Sequence, residues 1–227
     1  MLSNDVEHLG IGESCDALLL TAKARVIAPL RVLRRDDDFL LLTEPELGDR
    51  VRAELVRSRF AAKVEVEPEA HTSTLVFGAR PDGAIANEDY GREAWEVLDA
   101  HVVGEQLSEN ELERMRIEAG TPRYGREIDD RILPAEAGLL ERAVSFTKGC
   151  YPGQEPIARQ HYRGKLNRRL RVLDLDAAVS PEAEIRYGDK VVGRVTSAMA
   201  EKALAYVRTE VPDDAVLDVD GVEARLH

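Results

Sequence analysis

The residues around Cys150 are the ones in this sequence most able to do chemistry. This cysteine lies in the segment KGCYPGQE and is one of only two in the chain. Pro152 suits the first position of a helix, because its missing N–H is not needed there. A thiol near a helix N-terminus, with Lys148 two residues away, lies in positive potential, which favours the nucleophilic thiolate. The sequence therefore predicts a reactive Cys150, against the alternative of a buried structural cysteine.

The second cysteine has a different sequence environment. Cys15 lies among Glu13, Ser14 and Asp16. Neighbouring carboxylates disfavour a thiolate, so we expect Cys15 to react more slowly than Cys150. Two cysteines make no disulfide framework and do not by themselves supply the usual four ligands of an iron–sulfur cluster.

Positive charge is concentrated around Cys150 in a chain that is acidic overall. The 227 residues carry a formal charge of −12, whereas positions 148 to 171 hold seven bases and one acid, Glu155, which leaves −18 on the rest. A solvated basic face is the simplest interpretation, and a surface that binds one acidic ligand is the alternative. The seven bases are Lys148, Arg159, Arg163, Lys165, Arg168, Arg169 and Arg171.

Composition and motifs exclude several functions. The chain is 44% hydrophobic, enough for a globular core, and has no apolar run near the roughly 18 residues that span a bilayer. The polar N-terminus does not resemble a secretory signal, so we expect a cytoplasmic protein. GIGESC at positions 10–15 lacks the third glycine of a dinucleotide loop, and the five histidines have no metal-ligand spacing.

The elements that must position these residues begin with an α+β region. Strand-like runs fill positions 16–43, and PELGDRVRAELVRSRF then has the apolar spacing of a helix, with Leu47, Val51, Leu55 and Val56 on one face. The segments KVEVE and STLVFG have residue patterns typical of strands, which predicts two more strands. This order predicts a mainly antiparallel sheet.

A capped helix and a long loop follow. Ser108 and Glu111 form a predicted capping box, and Gly120 is a plausible helix end. The segment TPRYGREIDDRILPAEAGLL is rich in proline, glycine and charge, which is typical of a functional loop. A short helix over 135–143 is expected to end it.

The sequence pattern changes near residue 166, where short runs of alternating apolar and polar residues begin. Gly188-Asp189 and Asp220-Gly221 are hairpin signals. We therefore predict a small C-terminal β-barrel over 166–227 and an α+β region over 1–165.

Three strings carry a resemblance to a known family. They are RIEAGTPRYGRE at 116–127, LPAEAGL at 133–139 and FTKGCYPGQEPIAR at 146–159. Together they resemble the YgfZ family, relatives of the glycine cleavage T-protein (aminomethyltransferase). The resemblance implies an α+β fold like that of the T-protein, with mainly antiparallel sheet subdomains around a folate channel and a small C-terminal β-barrel.

The resemblance also implies a function. It points to a protein that binds tetrahydrofolate, often polyglutamylated in this family, and supports assembly or repair of iron–sulfur cluster enzymes, including ones that modify tRNA. Its partners would then be folate and those client enzymes, with no membrane and no direct nucleic acid. We expect an accessory protein rather than an ordinary enzyme.

Most of the site residues implied by the resemblance lie inside the three strings, and the others follow the third string. Cys150 and Lys148 would form the reactive centre, and whether the thiol holds a metal, carries sulfur or forms an adduct stays open. Glu118 and Glu136 would accept the N–H donors of the pterin, because carboxylates accept such bonds strongly. Further folate contacts are assigned to Tyr151, Gln154, Arg159 and Arg163, and a polyglutamyl tail would follow Arg163, Lys165, Arg168 and Arg169.

Two alternatives remain at this stage. The first is a one-carbon transferase of the T-protein type. The T-protein has an acidic catalytic residue in the loop that corresponds to TEPELGDR in this chain, where Asp49 lies nearby. The T-protein lacks the cysteine of KGC, which weighs against this reading. The second is an RNA-binding module, for which the basic segment offers few stacking aromatics beyond Tyr151 and Tyr162.

Overall fold

Two small antiparallel sheets and a closed barrel form the framework. The computed structural model describes residues 1–59 and 63–227, apart from the side chain of Arg163. The first sheet contains β1 (Ser14–Leu20), β2 (Val26–Arg34) and β3 (Phe39–Leu42) in that order. Its apolar residues alternate between two cores, with Leu18 and Leu20 in one and Ala17 and Leu19 in the other. This two-sided burial explains why the strands are almost continuously apolar.

A helical segment covers one face of this sheet. A single turn of 3-10 helix at Pro45–Leu47 leads into α1 (Gly48–Ser58), and Leu47, Val51 and Leu55 are buried as their spacing predicts. Val56 is only partly buried. The predicted helix end at Phe60 lies outside the described residues.

The second sheet corrects the sequence analysis at two points. It contains β4 (Ser73–Phe77), β5 (Ile85–Asn87) and β6 (Ala94–Leu98) in the order β4-β6-β5. The predicted strand KVEVE is wrong, because positions 63–67 form no strand and most of them are exposed. Neither β5 nor β6 is predicted from the sequence, and the three residues of β5 are too few for an alternating pattern to be recognised.

The helices that follow agree with the capping signals. α2 (Glu109–Glu118) begins with the predicted capping box, in which the Ser108 side chain accepts from the Glu111 backbone N–H. Gly120, at φ +72°, follows its end. The helix expected over 135–143 is confined to α3 (Leu140–Ala143), because Gly138 adopts a left-handed conformation that interrupts it. α4 (Gln154–Arg163) begins four residues after Cys150.

The C-terminal part is the predicted barrel. Its strands are β7 (Arg168–Leu175), β8 (Glu184–Tyr187), β9 (Lys190–Met199), β10 (Lys202–Arg208), β11 (Val216–Val219) and β12 (Val222–Leu226). They close in the order β10-β7-β12-β11-β8-β9, and every pair is antiparallel. Both predicted hairpin turns are present, with positive φ at Gly188, Asp220 and Gly221.

The barrel does not stand apart from the rest of the chain. Tyr206 of β10 belongs to the core that also contains Leu18, Ile128 and Ile157, and Leu170 of β7 packs against it. The division at residue 166 stays a prediction about domains. In the described ranges, none of the helices has both the length and the apolar character needed to cross a bilayer.

Candidate functional site

A cavity of about 300 Å³ lies between the two sheets and the loop that follows α2. We call it the main cavity. Apolar walls come from Leu18 and Leu30 of the first sheet and from Ile128 and Leu139. Its polar lining comes from Asp16, Arg31, Thr43, Glu44, Asn87, Asp89, Tyr90, Glu96, Arg116, Thr121, Arg123 and Arg142. A volume of this size is at the lower end of those that hold small molecules.

Five of these residues form a connected charge cluster. Arg31 donates to Asp89 and Glu96, both at 3.0 Å, and its Nε lies 3.3 Å from Asp16. Arg142 reaches the same two aspartates, with Nε–Asp16 at 2.7 Å and Nη2–Asp89 at 2.6 Å. The charge cluster joins the first sheet, the second sheet and α3. Two arginines thereby bind three carboxylates at the edge of the cavity.

Burial and pairing act in opposite directions on these groups. Burial pushes the pKa of Asp89 upward, but Arg31 and Arg142 hold it below its ordinary value. Burial raises the pKa of the Tyr90 phenol, and the negative charge of Asp89 adds to that shift. Asp89, Arg31 and Arg142 therefore stay charged at neutral pH, while Tyr90 stays neutral.

A fully buried ion pair fixes the wall contributed by the loop after α2. Arg116 Nη1 lies 3.0 Å from Glu127 Oε2, and the side chains are 3% and 0% exposed. Glu127 also accepts from the Arg123 backbone N–H at 3.0 Å and from the Ser197 hydroxyl at 2.6 Å. Because Ser197 belongs to β9, this network holds the loop against the barrel.

A second cavity, of about 450 Å³, lies between α2 and the barrel. Leu112 and Glu113 of α2 form one side, and Ser197 and Met199 of β9 form the other. Tyr90 and Arg123 line both cavities, so they form the partition between them.

Cys150 lies elsewhere, on the surface. Its thiol is exposed, as the predicted reactivity requires, and α4 begins at Gln154. The chain enters this helix through Gly153 at φ +83°, where an added Cβ would lie 2.8 Å from the Thr21 carbonyl oxygen and 2.9 Å from Ala24 Cα. Only glycine fits this close approach, in which the start of α4 packs against the turn between β1 and β2.

Cys15 has the less reactive environment that the sequence predicts. Burial raises the pKa of its thiol to about 11, with further contributions from Asp16 and Asp5. Burial is the main cause, which the sequence alone did not indicate. Asp5, brought close by the fold, acts alongside the sequence neighbour Asp16.

Lys148 contacts the N-terminal segment. Its ammonium donates to the carbonyl oxygens of Leu2 and Asn4, at 3.0 and 2.8 Å, and lies 5.9 Å from the centre of the Tyr151 ring. These bonds tie the loop that carries Cys150 to the first residues of the chain. Tyr151 is itself buried.

The two glutamates assigned to the pterin are each paired with an arginine. Glu118 accepts from Arg114 Nε at 2.8 Å on the surface of α2. Glu136 lies 3.2 Å from Arg168 Nε, and Arg168 in turn covers the ring of Tyr206. Neither glutamate lines either of the two cavities.

The remaining predicted residues lie on or near α4. Arg159 pairs with Glu155 at 2.7 Å on its exposed side, and Gln154 is partly buried. The side chain of Arg163 lies outside the described residues. Lys165 and Arg169 are exposed, and among the described side chains neither has a carboxylate within 4.0 Å.

The main cavity was missed because its charged residues are scattered along the sequence. Asp16 and Arg31 interrupt otherwise apolar strands, which was the available signal that something charged lies inside. Asp89 and Arg142 carry no such signal, since they lie in polar stretches. Only folding brings these four residues together.

Comparison with known proteins places this architecture in a class. Residues 167–227 match the family model for the CAF17 C-terminal β-barrel domain. The structure resembles that of aminomethyltransferase T of the glycine cleavage system from Bartonella henselae, with a TM-score of 0.84 and 18% identity over 100% of this chain and 78% of that one. The fold is therefore that of the T-protein.

The chain also has relatives that are similar to it in sequence. The tRNA-modifying protein YgfZ of Klebsiella pneumoniae is 29% identical over 82% of this chain and 67% of its own length. A chloroplastic protein of Arabidopsis thaliana, named as a transferase, is 27% identical over 90% of this chain and 59% of its own length. The chain thus spans only about two thirds or less of these relatives. In sequence the chain is thus similar to YgfZ proteins, and in fold it is similar to the T-protein.

Proposed function

We propose that this protein binds tetrahydrofolate in the main cavity and supports assembly or repair of iron–sulfur cluster enzymes, including ones that modify tRNA. The observation that carries the proposal is a cavity of about 300 Å³ in a fold that matches the T-protein. The YgfZ relatives are named tRNA-modifying proteins, and this name supports the proposed role in tRNA modification.

The residues of the main cavity fit a pterin. A pterin is flat and has N–H donors and a carbonyl acceptor along one edge, and its two faces pack against apolar side chains. Leu18, Leu30 and Ile128 supply apolar surface. Carboxylates and arginines supply acceptors and donors within the same walls, and charge-assisted bonds of this kind contribute about 1.5–3 kcal/mol each.

Tetrahydrofolate would supply a carrier for one-carbon units, and the chain would supply binding and a thiol. The main cavity would bind and orient the pterin and exclude water from it. Cys150 lines neither described cavity, and its exposure leaves it available to a client protein. This separation favours an accessory role, in which the ligand and the thiol serve different contacts.

Calorimetric titration with tetrahydrofolate tests the binding half. Saturable binding supports the proposal, and no binding at millimolar ligand contradicts it. The predicted pterin contacts are tested in the same way with Glu118→Gln and Glu136→Gln. Each should lose about 2–3 kcal/mol, or roughly 30- to 150-fold in affinity, if its carboxylate contacts the pterin. Unchanged affinity in both variants would remove that assignment.

An activity assay separates this proposal from aminomethyl transfer. Purified protein is incubated with tetrahydrofolate and the aminomethylated lipoyl carrier of the glycine cleavage system. We expect no catalysed release of ammonia or methylenetetrahydrofolate. Clear turnover would make the protein a transferase of the T-protein type.

A further inference from the structure

The main cavity contains one carboxylate that is not part of the charge cluster. Asp16, Asp89 and Glu96 are each bound by Arg31, and Asp16 and Asp89 are bound by Arg142 as well. Glu44 lines the same cavity. Among the described side chains, no lysine, arginine or histidine lies within 4.0 Å of its carboxylate.

The backbone fixes Glu44 in this position. It follows β3 by two residues and immediately precedes the 3-10 turn, whose Leu47 N–H donates to the Glu44 carbonyl at 2.9 Å. The neighbouring Thr43 hydroxyl lies 3.4 Å from the Glu44 carboxylate but donates its single proton to the Pro29 carbonyl at 2.9 Å. Glu44 therefore gains little from that hydroxyl.

In this partly desolvated environment, the Glu44 carboxylate is energetically unfavourable unless strong hydrogen-bond donors contact it. Burial raises the pKa of Glu44 above its ordinary value, although the backbone N–H groups of Glu44 itself and of Tyr124 oppose the shift. A partly desolvated carboxylate without a cation gains more from an added donor than an exposed one does. A ligand with N–H groups in this cavity would supply such a donor.

We infer that Glu44 is the specificity-determining acceptor of the main cavity, and that it recognises a heterocycle with adjacent N–H donors. Under the proposed function, on which this inference rests, that heterocycle is the pterin of tetrahydrofolate. The two N–H groups of its aminopyrimidinone ring match the two oxygens of one carboxylate. Glu118 and Glu136 are less available for this task, because each is already paired with an arginine.

Glu46 supplies a matched control. It lies two residues further along, in the first turn of the 3-10 helix, and it is exposed and outside both cavities. The probe is 5-formyltetrahydrofolate, whose acylated N5 does not take up a proton between pH 5 and 8. Binding is measured by calorimetry at pH 7.5. Glu44→Gln should bind about 10- to 100-fold more weakly, and Glu46→Gln should match the unmodified protein.

The pH profile gives a readout that a purely structural role would not produce. The titratable and charged groups that line the cavity with Glu44 are Tyr90, Arg116, Arg123 and the charge cluster, and the charge of Glu46 acts on Glu44 from outside the cavity. Since the ionised form of Glu44 accepts the N–H donors, affinity should fall as the pH is lowered from 7.5 toward 5. Asp89, whose pKa is held below its ordinary value, stays ionised over that range. The fall should be absent in Glu44→Gln and present in Glu44→Asp and Glu46→Gln.

The outcomes separate the two proposals. If the unmodified protein binds the probe but Glu44→Gln binds equally well, the role of Glu44 is refuted and folate binding stands. If the unmodified protein binds with no dependence on pH, the role of Glu44 is likewise refuted, even should the Gln variant fail to fold. If the unmodified protein does not bind the probe at all, the proposed function fails together with this inference.

Discussion

The main cavity and the segment around Cys150 differ in how their charges are held. In the cavity, arginines and carboxylates are largely buried and each contacts several partners, as Arg31 does with Asp16, Asp89 and Glu96. Around α4 the charges are exposed, and the Arg159–Glu155 pair is 71% and 84% open to solvent. Buried networks position a wall, whereas exposed side chains are free to meet a partner. We therefore expect substitutions in the two regions to have different consequences.

The largest expected effect separates the two cysteines in cells. Cys150→Ala should fold and bind folate, because losing one exposed small side chain costs little stability. It should still fail to restore the activity of iron–sulfur enzymes in cells that lack this protein. Cys15→Ala at matched expression is the control and should restore that activity. Full rescue by Cys150→Ala would show that the exposed thiol is dispensable and would contradict a functional role for the segment around Cys150.

The next effect concerns stability. Arg116→Met leaves Glu127 buried without its cation, and we expect a loss of about 3–5 kcal/mol in the free energy of unfolding. Arg159→Met removes an exposed i,i+4 pair and should cost at most about 0.5 kcal/mol. Urea denaturation of both variants measures the difference. Equal losses would show that the buried network does not support the cavity wall more than a surface pair would.

Thiol reactivity sharpens the contrast between the partly buried Cys15 and the exposed Cys150. Because burial and nearby acids raise the pKa of Cys15 to about 11, little thiolate is present there at pH 7.5. Alkylation with iodoacetamide, followed by mass spectrometry, should modify Cys150 at least about 10-fold faster. Raising the pH to 9.5 should speed modification of Cys15, since that approaches its pKa. A faster reaction at Cys15 would contradict this assignment.

The smallest effect concerns the exposed bases after α4. Polyglutamyl tetrahydrofolate should bind a few-fold more tightly than the monoglutamate at low salt if its tail contacts Lys165 and Arg169. The gain should shrink as salt rises, because exposed charges are screened over about 8–10 Å at physiological ionic strength. Lys165→Gln with Arg169→Gln should abolish it, and Arg186→Gln with Lys190→Gln in the barrel should not. Equal affinities at low salt would assign these bases to another contact.

Local patterns predicted most of the framework. The alternation after residue 166 and the turn pairs Gly188-Asp189 and Asp220-Gly221 are enough to predict a small barrel, because such turns require residues that accept positive φ. The Ser108 capping box likewise depends only on residues three apart. Where the pattern was misleading, as in KVEVE, alternation without burial does not suffice to form a strand.

The sequence by itself was enough to predict the resemblance to the YgfZ family, the C-terminal barrel and the different charges that neighbour Cys150 and Cys15. The tertiary structure decided which charged residues line the main cavity. Asp16, Arg31, Asp89 and Arg142 are separated by up to 126 positions, and only the packing of two sheets and α3 makes them one cluster. Glu44 becomes distinctive only in the folded chain, where arginines bind the other three carboxylates of the main cavity and no described lysine, arginine or histidine lies within 4.0 Å of Glu44. Burial and pairing are properties of the folded chain, and they set the charge state and availability of these groups.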